Sequence, residues 1–284
     1  MPPRIARRAF VAHLCIDIGN TTTDYGLLAN GTVIAGGSLP TAKLSEPNQG
    51  LAARLADLCP ESPPYSWQGL AFCSVVPQAV PVVCSLPTGG EPVLQLTWQD
   101  CPGLPIHVER PEEVGQDRLA NAIAAQARLG TPCIVIDMGT AVTLDIITDR
   151  GYEGGLIAPG LEVMTRYLHD QTALLPRLDP GRLETDATIG KTTVQAMQLG
   201  CTVGLAGMIR GLLDWVHKIL KQSGNETVNI ALTGGSRRYL PATWLQEIEY
   251  IPHLTLLGLA EAYHRKFSHP QHDRNGDGQG SVLD

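Results

Sequence analysis

Short apolar runs separated by glycine-containing turns dominate the pattern of hydrophobic and polar positions in the first half of the chain. A continuous apolar run bounded by turns is typical of a buried β-strand, whereas apolar residues three and four positions apart indicate a helix. These rules predict strands at 10–18, 25–29, 32–36, 67–73, 92–97 and 106–108. They also predict helices at 48–58 and 116–129. The first three strands form a meander, because tight turns such as Asn30-Gly31 join them.

The second half of the chain restarts with the same succession of elements. Strands are predicted at 132–138, 142–148, 227–232 and near 249–251. The stretch 152–159 is rich in glycine. Helical spacing follows Gly160, covers most of 189–221 and returns at 255–267.

An internal repeat relates the two halves. LCIDIGNTTTDYGLL (14–28) resembles IVIDMGTAVTLDII (134–147), with an offset of 137 − 17 = 120 residues. The alignment matches Asp17 with Asp137, Gly19 with Gly139, Asn20 with Thr140 and Thr23 with Thr143. Two homologous α/β lobes, 1–129 and 130–267, are therefore predicted, with a nucleotide in the cleft between them. A flexible polar tail is predicted at 268–284.

The repeated stretches carry residues that suit phosphate groups and cations. A carboxylate at the end of a buried strand, such as Asp137, is costly unless it binds a cation or accepts several hydrogen bonds. Gly139 allows a backbone N–H to approach a ligand, and Thr140 and Thr143 add hydroxyl donors. The alternative is a pair of ordinary structural hairpins, but two matched loops of this kind favour phosphate binding.

Between the repeats lies the segment EEVGQDR, residues 112–118. Gly115 permits a tight turn into the predicted helix, and Asp117 and Arg118 stand near its start, where free N–H groups favour anions. In this position a carboxylate can accept a proton from a substrate hydroxyl, and an arginine can hold a carboxylate in a bidentate pair. The GQDR tetrapeptide by itself favours a simpler alternative, in which Asp117 caps the helix and Arg118 is solvated.

Composition excludes several classes of protein. The chain has 284 residues, 43% hydrophobic and 17% charged, which predicts a globular protein rather than a disordered one. A formal charge of −7 and the lack of a long Lys/Arg run argue against a nucleic-acid partner. Seven scattered cysteines without CxxC spacing predict reduced thiols in a cytoplasmic protein and no zinc site. No signal peptide is recognisable, and no uncharged run is expected to approach the ~20 residues of a membrane span.

The segment DRNGDGQGSVLD (273–284) has the spacing of a calcium-binding loop. Its ligand positions hold Asp273, Asn275, Asp277, Gln279 and Ser281. No exiting helix follows Asp284, which also replaces the usual bidentate glutamate. A solvated polar tail is therefore the favoured interpretation.

Taken together, the motifs resemble those of the type III pantothenate kinases, a family within the actin-like, sugar-kinase and heat-shock-protein ATPase superfamily. The matching segments occur in family order: IDIGNTTTDYG (16–26), PEEVGQDR (111–118), IDMGTAVT (136–143), GGLIAPG (154–160), IGKTTVQAMQLG (189–200) and LTGG (232–235). GxDR followed by DxGTAxT is specific, whereas a lone TGG is not. The resemblance implies an α/β fold of two actin-like (ribonuclease H-like) lobes, each a mixed sheet opened by a strand meander with flanking helices.

The resemblance also implies a reaction, the ATP-dependent phosphorylation of pantothenate to 4′-phosphopantothenate, the first step of coenzyme A biosynthesis. It implies Asp117 as the general base, Mg²⁺ on the side of Asp17 and a monovalent cation, K⁺ or NH₄⁺, at Asp137. The implied ATP contacts are Asp17, Ile18, Gly19, Asn20, Thr21, Thr22, Thr23, Asp24, Thr140, Gly234 and Gly235. The implied pantothenate contacts are Gly115, Gln116, Asp117, Arg118 and Thr193, the last of which reaches the substrate across a homodimer interface.

Some features depart from the family pattern. Val108 stands where the family often has a tyrosine of the pantothenate pocket, and Asp24 stands where many members carry lysine or an apolar residue. The N-terminus also extends past the usual family start. Two alternatives therefore accompany the kinase: a non-catalytic nucleotide-binding regulatory homologue, and an actin-fold kinase of another hydroxy acid. The intact Asp117 favours catalysis, because a binding module has no need of a base.

Overall fold

The computed structural model describes residues 12–58, 67–184, 186–246 and 248–268. Ten strands are defined within them: β1 His13–Ile18, β2 Thr22–Ala29, β3 Thr32–Pro40, β4 Leu70–Ser74, β5 Val93–Gln95, β6 Cys133–Met138, β7 Ala141–Thr148, β8 Gly151–Pro159, β9 Asn229–Thr233 and β10 Glu249–Tyr250. They form two sheets of the same design, ordered β3-β2-β1-β4-β5 and β8-β7-β6-β9-β10. In each sheet an antiparallel meander is extended by two parallel strands. The predicted α/β fold of two similar lobes is confirmed.

Two helices from different parts of the chain lie between the sheets. The helices are α1 Leu51–Leu58, α2 Val80–Cys84, α3 Gln116–Leu129, α4 Leu161–Asp170, α5 Thr193–Gln222 and α6 Leu254–Phe267. Helix α3 packs against α6, and α6 also contacts β1, β2 and β4 of the first sheet, while α3 contacts β6, β7 and β9 of the second. One apolar core therefore joins Cys15 of the first sheet to Val135 of the second through both helices. Separate cores cover the outer faces of the two sheets.

Most predicted elements agree with the structure, and the exceptions have physical causes. The hydrophobic pattern assigns no strand to 152–159, yet these glycine-rich residues form most of β8, because the strand pairs along its whole length with β7. The strand predicted at 106–108 is wrong, since Ile106 makes only a single bridge, with Tyr152. The helix predicted from 189 begins at Thr193, where the Thr192 hydroxyl accepts a hydrogen bond from Gln195 N at 3.2 Å and caps it.

The strand registers confirm the repeat but correct one of its matches. Asp17 pairs with Asp24 in the first hairpin, and Asp137 pairs with Thr143 in the second. The alignment of Thr23 with Thr143 is therefore wrong. The first hairpin turn is one residue longer, because Ile18 pairs with Thr23 whereas Met138 pairs with Val142. Asp24 and Thr143 are the equivalent positions.

Helix α5 contradicts the expectation that no uncharged run approaches the length of a membrane span. Residues 192–209 carry no Asp, Glu, Lys or Arg. Within the described residues α5 is the one helix long and apolar enough to cross a membrane by length and composition, which is weak evidence by itself. One side of α5 packs on the second lobe through Cys201, Leu205 and Ile209, so part of its apolar character serves the core.

The remaining expectations about the chain ends fall outside the structure. The basic N-terminal residues 1–11 and the calcium-like spacing at 273–284 lie outside the described residues.

Candidate active site

A cavity of about 680 Å³ lies where the turns of the two equivalent hairpins face each other. The first hairpin turn joins β1 to β2, and the second joins β6 to β7. The described lining residues are Asp17, Gly19, Asn20, Thr21, Thr22, Asp24, Val75, Asp117, Asp137, Gly139, Thr140, Ala141, Thr143, Thr233, Gly234, Gly235, Tyr250, Pro252, His253, Leu254 and Thr255. The cavity is therefore formed by both halves of the repeat, by the start of α3 and by the segment that leads into α6.

The first hairpin turn is held in place by Thr41, directly after β3. Thr41 N donates to Thr21 O at 2.9 Å, and its hydroxyl donates to Gly19 O at 2.7 Å. Within the turn, Gly19 N donates to Thr22 O at 3.0 Å. A side chain at position 19 would bring a Cβ within 2.9 Å of that same carbonyl. Glycine is thus required for this turn.

The second hairpin turn is held in the same way. Gly139 N donates to Ala141 O at 3.0 Å, and Gly160 N, just after β8, donates to Thr140 O at 3.1 Å. A Cβ on Gly160 would overlap the Thr140 carbonyl. The GGLIAPG segment is therefore a support for the loop that carries Thr140.

Asp17 lies at the end of β1, on the floor of the cavity. It pairs with Cys73 of β4, whose Sγ donates to Asp17 Oδ1 at 3.3 Å. Burial, together with the negative charge of Asp117, raises the pKa of Asp17 to about 7. Because a thiol is a weak hydrogen-bond donor, it compensates little for this burial. Asp17 therefore gains much from a cation in the cavity.

Asp137 is the equivalent carboxylate at the end of β6. Its Oδ2 accepts a hydrogen bond from Asn121 Nδ2 at 2.9 Å, and the Thr255 hydroxyl donates to Asn121 Oδ1 at 2.9 Å. The pKa of Asp137 is raised to about 6, mainly by burial, and the Asn121 hydrogen bond partly opposes this shift. Helix α3 thus positions the Asp137 carboxylate directly through Asn121, and helix α6 does so indirectly through Thr255.

Asp117 enters the cavity from the first turn of α3. Arg118 N donates to Asp117 Oδ1 at 2.9 Å, which fixes the carboxylate at the helix start. A Cβ on Gly115 would overlap the same oxygen, so glycine is needed one residue before the helix. Gln116 ties α3 to the first sheet, because its Oε1 accepts a hydrogen bond from Ser74 N at 2.9 Å.

Arg118 points away from solvent into a buried polar group. Its Nε donates to Asp145 Oδ1 at 2.8 Å, and its Nη2 lies 2.6 Å from the same atom. The Tyr152 hydroxyl donates to Asp145 Oδ1 at 2.7 Å. Asp145 is fully buried, and Arg118 is 14% exposed. Among the described residues Arg118 Nη2 is one of two buried side-chain polar atoms that lack a hydrogen bond of good geometry.

Gly234 and Gly235 form the opposite wall, directly after β9. Gly234 has φ of +93°, and a Cβ there would lie 2.6 Å from backbone atoms of Met138. Gly235 has open space where its Cβ would be. Gly234 is therefore required by the fold, whereas Gly235 leaves room for a ligand.

The structure brings most of the predicted site residues to one cavity. Those that line it are Asp17, Gly19, Asn20, Thr21, Thr22, Asp24, Asp117, Asp137, Thr140, Gly234 and Gly235. Ile18 and Thr23 are buried beneath the first turn, and Thr23 Oγ1 lies 3.0 Å from Thr41 Oγ1. Thr193, exposed at the start of α5, is outside this lining, and so are three predicted residues beside Asp117, namely Gly115, Gln116 and Arg118.

Sequence reasoning missed several residues of the site. Asn121 and Asp145 had a usable signal, since each is a polar residue within an otherwise apolar stretch, and burial of such a group requires a partner. The segment from Tyr250 to Thr255 had no comparable signal. His253 lines the cavity in a left-handed conformation with φ of +55°, just before α6.

The described residues contain no group of three His, Cys, Asp or Glu side chains able to hold a metal ion by themselves. Mg²⁺ is commonly bound through one or two carboxylates together with substrate phosphates and water. Single carboxylates such as Asp17 and Asp137 fit cations of this kind, whose remaining ligands come from a nucleotide.

Comparison with known proteins gives a consistent result. A family model described as type III pantothenate kinase matches residues 13–214. A type III pantothenate kinase of Methylacidiphilum infernorum is 36% identical over 254 residues, 87% of this chain and 86% of that protein. A type III pantothenate kinase of Streptomyces avermitilis is 34% identical over 265 residues, 90% of this chain and 98% of that protein.

Solved structures share the fold at lower identity. A Baf family transcriptional activator from Campylobacter jejuni aligns with a TM-score of 0.55 and 18% identity over 89% of this chain and 98% of that chain. Component A of the (R)-2-hydroxyglutaryl-CoA dehydratase of Acidaminococcus fermentans aligns with a TM-score of 0.54 and 14% identity over 90% of this chain and 98% of that chain. At these identities the likeness establishes the fold alone.

Proposed function

The chain belongs to the type III pantothenate kinase family and is an enzyme that phosphorylates pantothenate in coenzyme A biosynthesis, and we propose that Asp117 is its general base. The observation that carries this proposal is the position of Asp117. Its carboxylate lines the cavity between the two hairpin turns, at a helix start, with one oxygen held by Arg118 N. A base must be fixed within reach of the proton that it accepts.

The proposed reaction balances without a covalent enzyme intermediate. The primary hydroxyl of pantothenate gives its proton to Asp117 while its oxygen forms a bond to the γ-phosphorus of ATP. The bond from that phosphorus to the β,γ-bridging oxygen breaks, and ADP leaves with the electron pair. Phosphoryl transfer depends on positioning and charge stabilisation more than on covalent chemistry, which suits two rigid backbone turns.

The charge of the cavity supports the proposed cation sites. Asp17, Asp24, Asp117 and Asp137 all line the space that accepts the polyanionic triphosphate. Like charges that share one cavity are unfavourable unless cations lie between them. We therefore assign Mg²⁺ to the side of Asp17 and K⁺ or NH₄⁺ to Asp137, where these cations would neutralise charge on the phosphoryl oxygens. The turns from Ile18 to Asp24 and at Thr140 would hold the phosphates, and Gly234 and Gly235 would lie beside the nucleoside.

The start of α3 supports a pantothenate site beside Asp117. Arg118 Nη2 is paired electrostatically with Asp145 Oδ1 at 2.6 Å but makes no hydrogen bond of good geometry within the described residues, so it retains a donor for the carboxylate of the substrate. Gly115 keeps the approach to Asp117 open. Gln116 and Thr193 remain proposed substrate contacts, Thr193 by way of a second subunit.

The substitution Asp117→Asn tests the base. Asparagine keeps an oxygen that accepts the Arg118 N–H but accepts no proton, so kcat should fall about 10²- to 10⁴-fold. The KM for ATP should stay near that of the wild type. Coupled ADP-release assays with pantothenate measure both constants. Glu113→Gln is the matched control, because it removes an exposed carboxylate near the same helix, and its activity should be unchanged. Near-normal kcat in Asp117→Asn would reject the base assignment.

The same assay distinguishes pantothenate kinase from the two alternatives, a kinase of another hydroxy acid, which Val108 leaves open, and a non-catalytic regulatory homologue. Wild-type protein is supplied with ATP and either pantothenate or another hydroxy acid. A higher kcat/KM for a different acid would shift the substrate assignment, and a lack of turnover with every acid at millimolar ATP would favour a regulatory protein. We expect pantothenate to be preferred.

The outer surface of α5 supports the proposed homodimer. Val203 and Trp215 are 66% and 60% exposed on this helix, and Gly200, Gly207 and Gly211 have open space around them. Exposed apolar surface of this extent is typical of a protein interface, and small residues allow two helices to approach closely. A dimer through α5 would also bring a second subunit towards Thr193, at the start of the same helix.

Val203→Glu tests this interface by analytical ultracentrifugation. The variant should sediment as a monomer, whereas Ile34→Glu, which introduces a charge at an exposed apolar residue of β3, should remain a dimer. Equal oligomeric states in both variants would place the interface elsewhere. We further propose a cytoplasmic location, which is supported by the free cysteines at positions 15, 73, 84, 101, 133 and 201.

A further inference from the structure

Asn121 is a fully buried polar residue on an apolar helix. Its neighbours on α3, from Leu119 to Ala125, are alanine, leucine and isoleucine, and all are buried. An amide in such a place is costly unless both of its ends are hydrogen-bonded. In this structure both ends have partners, and the identity of these partners indicates what the residue does.

The two hydrogen bonds of Asn121 connect different parts of the active site. Nδ2 donates to Asp137 Oδ2 at 2.9 Å, and Oδ1 accepts from the Thr255 hydroxyl at 2.9 Å. Asp137 and Thr255 both line the cavity, on β6 and at the start of α6. The Asp137 carboxylate fixes which end of the amide faces it, because an ionised carboxylate only accepts hydrogen bonds and so requires the NH2 group, which leaves Oδ1 for the Thr255 hydroxyl.

We propose that Asn121 is a positioning residue that aims Asp137 at the monovalent cation and links this carboxylate to the wall of the nucleotide cavity through Thr255. The inference depends on the cation assignment made above. With one oxygen of Asp137 engaged by Asn121, the other is directed towards a cation. Because Thr255 is part of the same cavity, nucleotide binding and cation binding should strengthen each other.

The test uses Asn121→Ala and Thr255→Val, which remove the two donors in turn. Unfolding temperature is followed in a KCl titration with non-hydrolysable ATP analogue and Mg²⁺, and choline chloride corrects for ionic strength. The KCl concentration that gives half of the stabilisation should rise about 10- to 100-fold in Asn121→Ala and by less in Thr255→Val. The half-activating KCl concentration in the kinase assay should rise in parallel, with the KM for pantothenate unchanged.

A role confined to folding gives a different result. It would lower the unfolding temperature without KCl and reduce kcat equally at every KCl concentration, with no change in the half-saturating value, and this outcome would overturn the proposal. In an Asp137→Asn background, Asn121→Ala should have no further effect on KCl dependence. Wild-type kinase activity without any monovalent-cation dependence would overturn both the cation assignment and this inference, while leaving the pantothenate kinase reaction intact.

Discussion

The buried group of Arg118, Asp145 and Tyr152 allows a quantitative prediction about stability. Asp145 has no exposed surface and receives hydrogen bonds from Arg118 Nε and the Tyr152 hydroxyl. Replacing Asp145 with alanine leaves the guanidinium of Arg118 buried without its partner. Removal of one member of a buried ion pair typically costs about 3–5 kcal/mol. Tyr152→Phe removes only a hydrogen bond to a charged acceptor and should cost about 1.5–3 kcal/mol.

A more exposed ion pair, between Arg150 in the turn that joins β7 to β8 and Glu153 of β8, provides the control. Arg150 is 71% exposed and Glu153 is 18% exposed, against 14% and 0% for Arg118 and Asp145, and Arg150 holds Glu153 through two hydrogen bonds at 2.9 and 2.6 Å. Because water and salt screen such a pair, Glu153→Gln should cost at most about 1 kcal/mol. The two pairs therefore differ in burial while both involve arginine and a carboxylate.

Urea unfolding followed by circular dichroism measures these differences. Asp145→Ala should lower the free energy of unfolding several-fold more than Glu153→Gln does. The decrease caused by Asp145→Ala should be nearly the same at low and at high salt. The kinase assay should also show a raised KM for pantothenate in Asp145→Ala, since Arg118 loses its fixed orientation. A loss in Asp145→Ala no larger than in Glu153→Gln would refute the view that the Asp145 charge is buried and essential to the pair.

Further predictions concern the glycines and the pH dependence of the cavity. Gly115→Ala should lower kcat about tenfold or more, because the added Cβ displaces the Asp117 carboxylate, while thermal unfolding stays close to that of the wild type. Gly234→Ala should lower the free energy of unfolding by about 1–3 kcal/mol, because position 234 has a positive φ and the added Cβ would clash with β6. Gly235→Ala should instead be as stable as the wild type but bind ATP more weakly in a calorimetric titration. Burial raises the pKa of Asp17 to about 7, above the value in the unfolded chain. The protonated carboxyl therefore contributes stability that is fully present below the unfolded pKa. This contribution is lost as the pH rises through about 7. The increase in unfolding temperature on adding Mg²⁺ with ADP should thus be larger at pH 8 than at pH 5.5; an equal increase at both values would contradict the shift.

The sequence predicted the repeat well because the repeat is local. Each hairpin couples a carboxylate, a tight turn and an apolar strand within a short segment, so Asp17 and Asp137 could be placed at strand ends without knowledge of the fold. The number of turn residues was harder. Thr23 and Thr143 align by letters, but the shorter second turn places Thr143 opposite Asp137, where the first hairpin has Asp24.

Residues that act through distant contacts could not be placed from the sequence. Asn121 and Thr255 are 134 positions apart and meet only because α6 packs against α3 between the sheets. The role of β8 was also hidden, because its glycines lower strand propensity. The glycines of β8 instead leave room for neighbouring side chains, since a Cβ on Gly155 would lie 2.8 Å from Arg118 Nη2.

The differences between the two halves of the repeat explain why equivalent carboxylates receive different cations in the proposed mechanism. Asp17 has a thiol as its donor, and Asp24 pairs with it across the hairpin. Asp137 has an amide donor instead, and the residue opposite it is the neutral Thr143. The weaker donor and the additional acid leave more uncompensated charge around Asp17, whose pKa is raised by burial and by the negative charges of Asp117 and Asp24. A divalent ion suits the first environment, and a singly charged ion suits the second, where the carboxylate is already oriented and partly compensated by the protein itself.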